Sequence, residues 1–177
     1  MTDEPRVFVV DDDPSVRRSL VRLLETVGLC VEVYASAEAF LAGARTTGPS
    51  CVLLDVRMSG MSGLELQRYL ATSGVTMSIV FITGHGDVPM SVEAMKGGAV
   101  DFLMKPFDDE ALLAAIERGI ARHREQRHEQ EAFDQLRGRY YRLTPRQQQV
   151  FAWVTAGLLN KQIAASLGTS EKTIKVH

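Results

Sequence analysis

The chain has 177 residues, 45% of them hydrophobic, and a net charge of −2, which suits one domain of ordinary size plus a smaller one and excludes a disordered or collagen-like chain. No apolar run approaches membrane-spanning length and the N-terminus carries no signal-peptide core, so a cytoplasmic protein without a membrane partner is expected. The charge is unevenly spread: residues 1–116 hold 9 Lys/Arg against 16 Asp/Glu, and residues 117–177 hold 11 against 6, so the first part could hold a cation and the second could meet an anionic partner such as nucleic acid.

Arg6-Val7-Phe8-Val9-Val10 reads as a strand that ends in Asp11-Asp12-Asp13. Asp13 and Pro14 form a helix cap and first turn, and Val16, Leu20, Leu23, Leu24 and Val27 keep a helical period that Gly28 stops. Val31–Tyr34 is a second strand, and Ser36 caps a helix through Arg45. Cys51-Val52-Leu53-Leu54 runs straight into Asp55, as a fully buried strand of a parallel sheet would. Ser62-Gly63-Leu64-Glu65 is a capping box opening a third helix. Ser78–Ile82 is the next buried strand and ends in Thr83. A helix from about Pro89 to Lys96 follows. Val100–Met104 is the fifth strand, ending in Lys105-Pro106, a bond whose cis form is cheap only because Pro follows. Cys30 and Cys51 read as buried free thiols of a reducing compartment, and no Cys/His cluster points to zinc.

Five strand-then-helix units predict an α/β fold: a doubly wound five-stranded parallel sheet in the flavodoxin-like order. That topology brings the first, third, fourth and fifth strand ends together, so Asp11, Asp12, Asp55, Thr83 and Lys105 converge. The carboxylates can hold Mg²⁺ or Mn²⁺, since oxygen-only ligands favour hard cations. Lys105 and the cation can draw charge from a phosphoryl group while Asp55 attacks it, giving an acyl phosphate. No His or Glu in these segments is an obvious strong base, so the site looks built to accept a phosphoryl group and keep it.

Asp108-Asp109-Glu110 opens a fifth helix with Leu112, Leu113, Ile116 and Ile120 as its buried stripe. Ala121–Ala132 has no large apolar residue, Gly or Pro, so a solvated helix is expected to continue to about Leu136 and break near Gly138. Phe133, Leu136, Tyr140 and Tyr141 could seed contacts with the next domain or another subunit. Thr144-Pro145-Arg146-Gln147 starts another helix, which Gly157 stops; Asn160 is expected to cap a second through Leu167, and Ser170 a third from Glu171. Two short helices, a tight turn and a helix carrying Lys172 and Lys175 read as a helix-turn-helix.

Asp11-Asp12, Asp55, Thr83 and Lys105-Pro106, in this order on these strand ends, resemble the receiver domain of two-component response regulators. The resemblance implies that Asp55 is phosphorylated by a sensor histidine kinase, that Asp12 binds the metal directly and Asp11 through water, and that the Arg57 backbone carbonyl completes the ligands. It also implies that Thr83 and Phe102 form a switch, acting on a face that includes Val88, Val92, Met95, Lys96 and Asp101. One departure is Ser59, where the family's Met-Pro-Gly turn has Pro. Leu143-Thr144-Pro145-Arg146, Gly157, Asn160-Lys161-Gln162-Ile163-Ala164 and Lys172-Thr173-Ile174-Lys175-Val176-His177 resemble the start of a LuxR-type DNA-binding domain, and the whole resembles a FixJ/NarL-type regulator. Lys161, Lys172, Thr173, Lys175 and Val176 are then the expected DNA contacts.

The expected organisation is a receiver over residues 1–120, a helical linker over 121–138 and a helix-turn-helix over 139–177, incomplete because the chain stops at His177 inside the recognition helix. The expected protein is a phosphorylation-dependent homodimer that regulates transcription, not an enzyme beyond Mg-dependent self-phosphorylation and slow self-dephosphorylation. The alternative is a phosphate sink or kinase-interaction protein with a degenerate tail that does not bind DNA. An enzyme fits poorly: a phosphatase would want a second Asp at position 57, where Arg57 stands, and a nucleotide site would want glycines where Asp11-Asp12-Asp13 stand.

Overall fold

The computed structural model describes residues 4–176. The chain forms two compact units, one reaching to His128 and one starting at Glu129. In the first, strands β1 (Arg6–Val10), β2 (Cys30–Tyr34), β3 (Ser50–Asp55), β4 (Ser78–Thr83) and β5 (Asp101–Met104) alternate with helices α1 (Pro14–Thr26), α2 (Ala37–Gly43), α3 (Gly63–Thr72) and α4 (Val88–Lys96), and α5 (Asp109–Tyr141) begins there and continues into the second. The sheet order is β2-β1-β3-β4-β5 and every pair is parallel, the flavodoxin-like arrangement expected from the sequence.

The continuous apolar runs of β3 and β4 are explained by their burial on both faces, where alternation would put polar groups into a core. Phe8, Val52, Leu54 and Phe81 point to one side and pack with Phe40, Leu66 and Leu70; Val9, Leu53, Val80 and Ile82 point to the other and pack with Leu20, Leu24, Leu112 and Ile116. Each such large side chain contributes about 1.5–3 kcal/mol by leaving water. β2 lies at the sheet edge, so Cys30 is half-buried and only Cys51 is the buried thiol expected of both.

The caps fix where helices begin. Asp13 accepts from the Ser15 amide, Ser36 from that of Ala39, and Ser62 and Glu65 form the reciprocal capping box. α4 starts one residue earlier than expected, because Asp87 accepts from the Met90 amide and serves as its cap. The Lys105–Pro106 peptide bond is cis.

α5 corrects the expected helix break near Gly138. It runs unbroken through Gly138 to Tyr141. An interior Gly costs only about 1 kcal/mol relative to Ala, and the residues beyond it are held, Tyr140 packing edge-on against Phe151 at 5.6 Å. The buried stripe of α5 also extends further than the sequence reading placed it, through Gly119 and Ile120 to His123.

The second unit holds α6 (Pro145–Thr155), α7 (Asn160–Leu167) and α8 (Glu171–Val176). Val150, Ile163, Ala164 and Ile174 form its small core, with Trp153, Leu158 and Leu167 packed around them. Thr144 and Gln147 make a capping box for α6. For α7 the expected cap is corrected: Asn160 is already inside the helix, Leu159 occupies the cap position, and the Leu159 amide donates to Gln162 Oε1 at 2.9 Å. Ser170 Oγ accepts from the Thr173 amide at 3.3 Å at the start of α8.

Candidate functional site

Parallel strands deliver their carboxyl ends to one edge of the sheet, and four of them deliver reactive groups. Asp11 follows β1 and is buried; Asp55 closes β3 with 7% of its surface exposed; Asp12 stands in solvent. One carboxylate oxygen from each of these three residues lies within 4.8 Å of the others. Lys105, just past β5, sets its ammonium 2.7 Å from Asp11 Oδ2 and 3.7 Å from Asp55 Oδ1. Asp11, Asp12, Asp55 and Lys105 are thus brought together as expected, with Lys105 closer to Asp11 than to Asp55.

Backbone groups order the carboxylates. Asp11 Oδ1 accepts from the Asp13 amide at 2.8 Å, and the Arg17 guanidinium donates to the Asp11 carbonyl at 2.6 Å. Asp12 Oδ2 accepts from the Ser59 amide at 3.1 Å. Burial pushes the Asp55 carboxyl up to about 6; the Lys105 ammonium opposes this, and the Asp11 and Asp12 charges add to it. The donor set is all oxygen and strongly anionic, which fits a hard divalent cation such as Mg²⁺.

Thr83 is fully buried at the end of β4, its hydroxyl accepting from the His85 amide at 3.3 Å. Phe102 is half-buried on β5, its ring 6.1 Å from that of Phe81. A Cβ added to Gly86 would stand 2.5 Å from Met104 Sδ, 2.9 Å from Phe102 Cε1 and 3.0 Å from Thr83 Cγ2, so Met104, Thr83 and Phe102 all pack closely around this glycine. Arg57 lies in the exposed turn after β3. Val88, Val92 and Met95 are exposed on α4, and Asp101 pairs with Arg118 at 2.5 Å.

In the second unit Lys161, Lys172, Thr173 and Lys175 are all exposed, the last three on α8 around the buried anchor Ile174. The side chain of Val176, and His177 altogether, lie outside the described residues.

Three contacts near or behind the site were not read from the sequence. Glu38 on α2 accepts from the Met61 amide at 3.0 Å. Ser59 reaches Asp12 through its backbone, which its side-chain type does not announce. His123, buried on α5, accepts from the Ser50 amide through Nδ1 at 2.8 Å, at the start of β3. Only His123 had a signal: Ile116, Ile120 and His123 keep the helical spacing of the stripe.

Comparison with known proteins agrees with this geometry. Residues 7–117 match the family model of the response regulator receiver domain, and residues 141–177 that of the bacterial regulatory proteins of the luxR family. Nodulation protein W of Bradyrhizobium diazoefficiens is 48% identical over 171 residues, 97% of this chain and 75% of that protein. The transcriptional regulatory protein FixJ of Azorhizobium caulinodans is 45% identical over 177 residues, all of this chain and 84% of that protein. Among solved structures, the response regulator StyR superposes with a TM-score of 0.84 at 50% identity, covering 98% of this chain and 88% of that one. Full-length FixJ from B. japonicum gives 0.63 at 41% identity, covering 97% and 84%. The chain belongs to the two-component response regulators that join a receiver domain to a LuxR-type helix-turn-helix. Its function is transcriptional regulation, and the alternative of a phosphate sink without output on DNA finds no support.

Proposed function

We propose that Asp55 accepts the phosphoryl group through which this regulator is switched. The observation that carries the reading is the single pocket in which Asp55 lies among Asp11, Asp12 and Lys105. Asp11, Asp12, Asp55 and the Arg57 carbonyl would hold Mg²⁺ or Mn²⁺. A bound divalent cation offsets the carboxylate charge and draws electron density from phosphoryl oxygens.

The chain's own groups do the rest. An Asp55 carboxylate oxygen attacks phosphorus; one P–O bond forms there as the P–N bond to a phosphohistidine of the sensor kinase breaks, and that electron pair leaves on the imidazole nitrogen. Lys105 moves its ammonium from Asp11 toward the incoming phosphoryl oxygens, and the Thr83 hydroxyl donates to one of them. Thr83 and Phe102 both pack against Gly86, so a shift of one would be felt by the other. Among the described residues the hydrogen bonds and ion pairs at Asp55 involve no His or Glu, which favours a lasting acyl phosphate and only slow self-dephosphorylation.

The output reading assigns a receiver to residues 1–120, a linker to 121–138 and the helix-turn-helix to 139–177. α8 would enter the major groove with Lys172, Thr173, Lys175 and Val176, and Lys161 would meet a phosphate. Phosphorylation would promote a homodimer through the face carrying Val88, Val92 and Met95. A relay from kinase to DNA would act in the cytoplasm; among the described residues no helix is long and apolar enough to cross a membrane.

Incubation with acetyl phosphate and Mg²⁺ tests the acceptor. The native chain should gain one phosphoryl mass that is lost in base, and Asp55→Asn should gain none. An increment that persists in Asp55→Asn overturns the assignment.

A further inference from the structure

We infer that Glu38 is a positioning residue, holding the turn after β3 so that its backbone groups face the carboxylate pocket. The inference rests on the metal-binding reading of that pocket and concerns how the chain keeps it in shape. The turn carries the Arg57 carbonyl and the Ser59 amide, and it needs an external support because it is exposed from Arg57 to Gly60 except for the half-buried Met58.

Two straps cross it. On the pocket side, the Ser59 amide donates to Asp12 Oδ2 at 3.1 Å. On the outer side, the Met61 amide donates to Glu38 Oε1 at 3.0 Å. Between them Gly60 turns with φ +84°, and a Cβ added to it would stand 2.8 Å from Glu38 Oε1. The turn is therefore pressed against the Glu38 carboxylate, and Gly serves at position 60 both for the left-handed backbone and for this close approach. Beyond the turn, the Gly63 amide donates to the Val56 carbonyl at 3.0 Å, closing the loop onto the end of β3.

Glu38 is itself well founded. It occupies the first turn of α2, whose neighbours Ala37 and Phe40 are buried, with Phe40 edge-on to Phe8 at 5.6 Å and to Tyr34 at 5.5 Å. The Met61 amide holds the Glu38 carboxyl below its ordinary range, followed by its own backbone amide and the Ser36 hydroxyl. A carboxylate anchored on a packed helix thus fixes the backbone of a turn whose side-chain packing rests on the half-buried Met58 and Met61. Removing it releases the Met61 amide, and with it the hold on the direction of the Ser59 amide toward Asp12.

The test is Mn²⁺ binding to the full chain, read as free Mn²⁺ by electron paramagnetic resonance, for the native protein, Glu38→Ala and Glu38→Gln. Both substitutions remove the same charge, but Gln keeps an oxygen that accepts from Met61. Glu38→Ala should weaken Mn²⁺ binding about fivefold, the factor worth one ordinary hydrogen bond, while Glu38→Gln should bind like the native chain. Native affinity in Glu38→Ala, or an equal loss in both variants, overturns the inference, the second because charge alone would then account for it. If the native chain itself binds no Mn²⁺, the reading of the pocket fails instead. The Met61 amide resonance then decides the strap: a shift in Glu38→Ala but not Glu38→Gln upholds it, and an unmoved resonance refutes it.

Discussion

Asp55 is uncomfortable in the metal-free chain. Its carboxyl is buried beside two other carboxylates, and its titration is pushed up to about 6. A carboxyl raised above its unfolded value favours the fold only while protonated, and that contribution is lost as pH rises through the folded value. Asp55→Asn should therefore be more stable than the native metal-free chain by about 2 kcal/mol near ~pH 8, with the gap closing below about pH 4. Urea melts across that range check it, and saturating Mg²⁺ should reverse the order, because a ligand that binds only the native carboxylate site stabilises only that chain. At this scale the sequence was informative wherever a reactive residue ended an apolar run: Asp11, Asp55, Thr83 and Lys105 were legible for that reason. Asp12's partner was not, because the Ser59 amide acts through the backbone, and the direction of an N–H depends on the turn rather than on residue type.

Helix α5 shows what an element adds. The large apolar residues of its stripe end at Ile120, but His123 continues the stripe and is buried. Burial lowers the His123 pKa, and the Arg127 charge adds to this. A neutral ring with an unprotonated Nδ1 is what the Ser50 amide requires at 2.8 Å. The unfolded chain takes up the proton first as pH falls below about 6.5, so the fold loses stability from there down to the lowered folded value. His123→Ala should remove this acid sensitivity and cost about 2–3 kcal/mol at neutral pH, since the Ser50 amide loses its acceptor and a cavity opens. Asp55 titrates in the opposite sense nearby, so the difference between variant and native denaturant midpoints, followed across pH, isolates the His123 contribution. The same helix shows where composition misleads: Gly138 reads as a stop, yet one interior Gly costs less than the held residues on either side return.

Along the sequence the two parts carry opposite charge, and the family divides at nearly the same place: the acidic part carries all but the last residue of the receiver match and the basic part the whole LuxR-type match. The fold class and the regulator family were legible because five repeated strand-helix units allow few topologies and each strand end carries a distinct chemical group. The output helices were legible from caps and spacing. Which side chains meet DNA is a matter for measurement. Binding to duplex DNA should weaken steeply with salt, as counterions are released when lysines meet phosphates. Replacing the exposed Lys161 by Ala should lower the slope of log K against log salt by about one across all sequences. An unchanged slope, followed by fluorescence anisotropy, would remove Lys161 from the interface.

Strand β3 joins two of these features. Ser50 at one end is gripped by His123, and Asp55 at the other is the proposed phosphoryl acceptor; every residue between them is buried and bonded to β1 or β4. Five residue steps span about 17 Å, and a strand fixed on both sides neither stretches nor buckles over that distance. β3 is thus a strut. Any sliding of its acceptor end must be matched at its base, against the same helix that leaves this unit for the next.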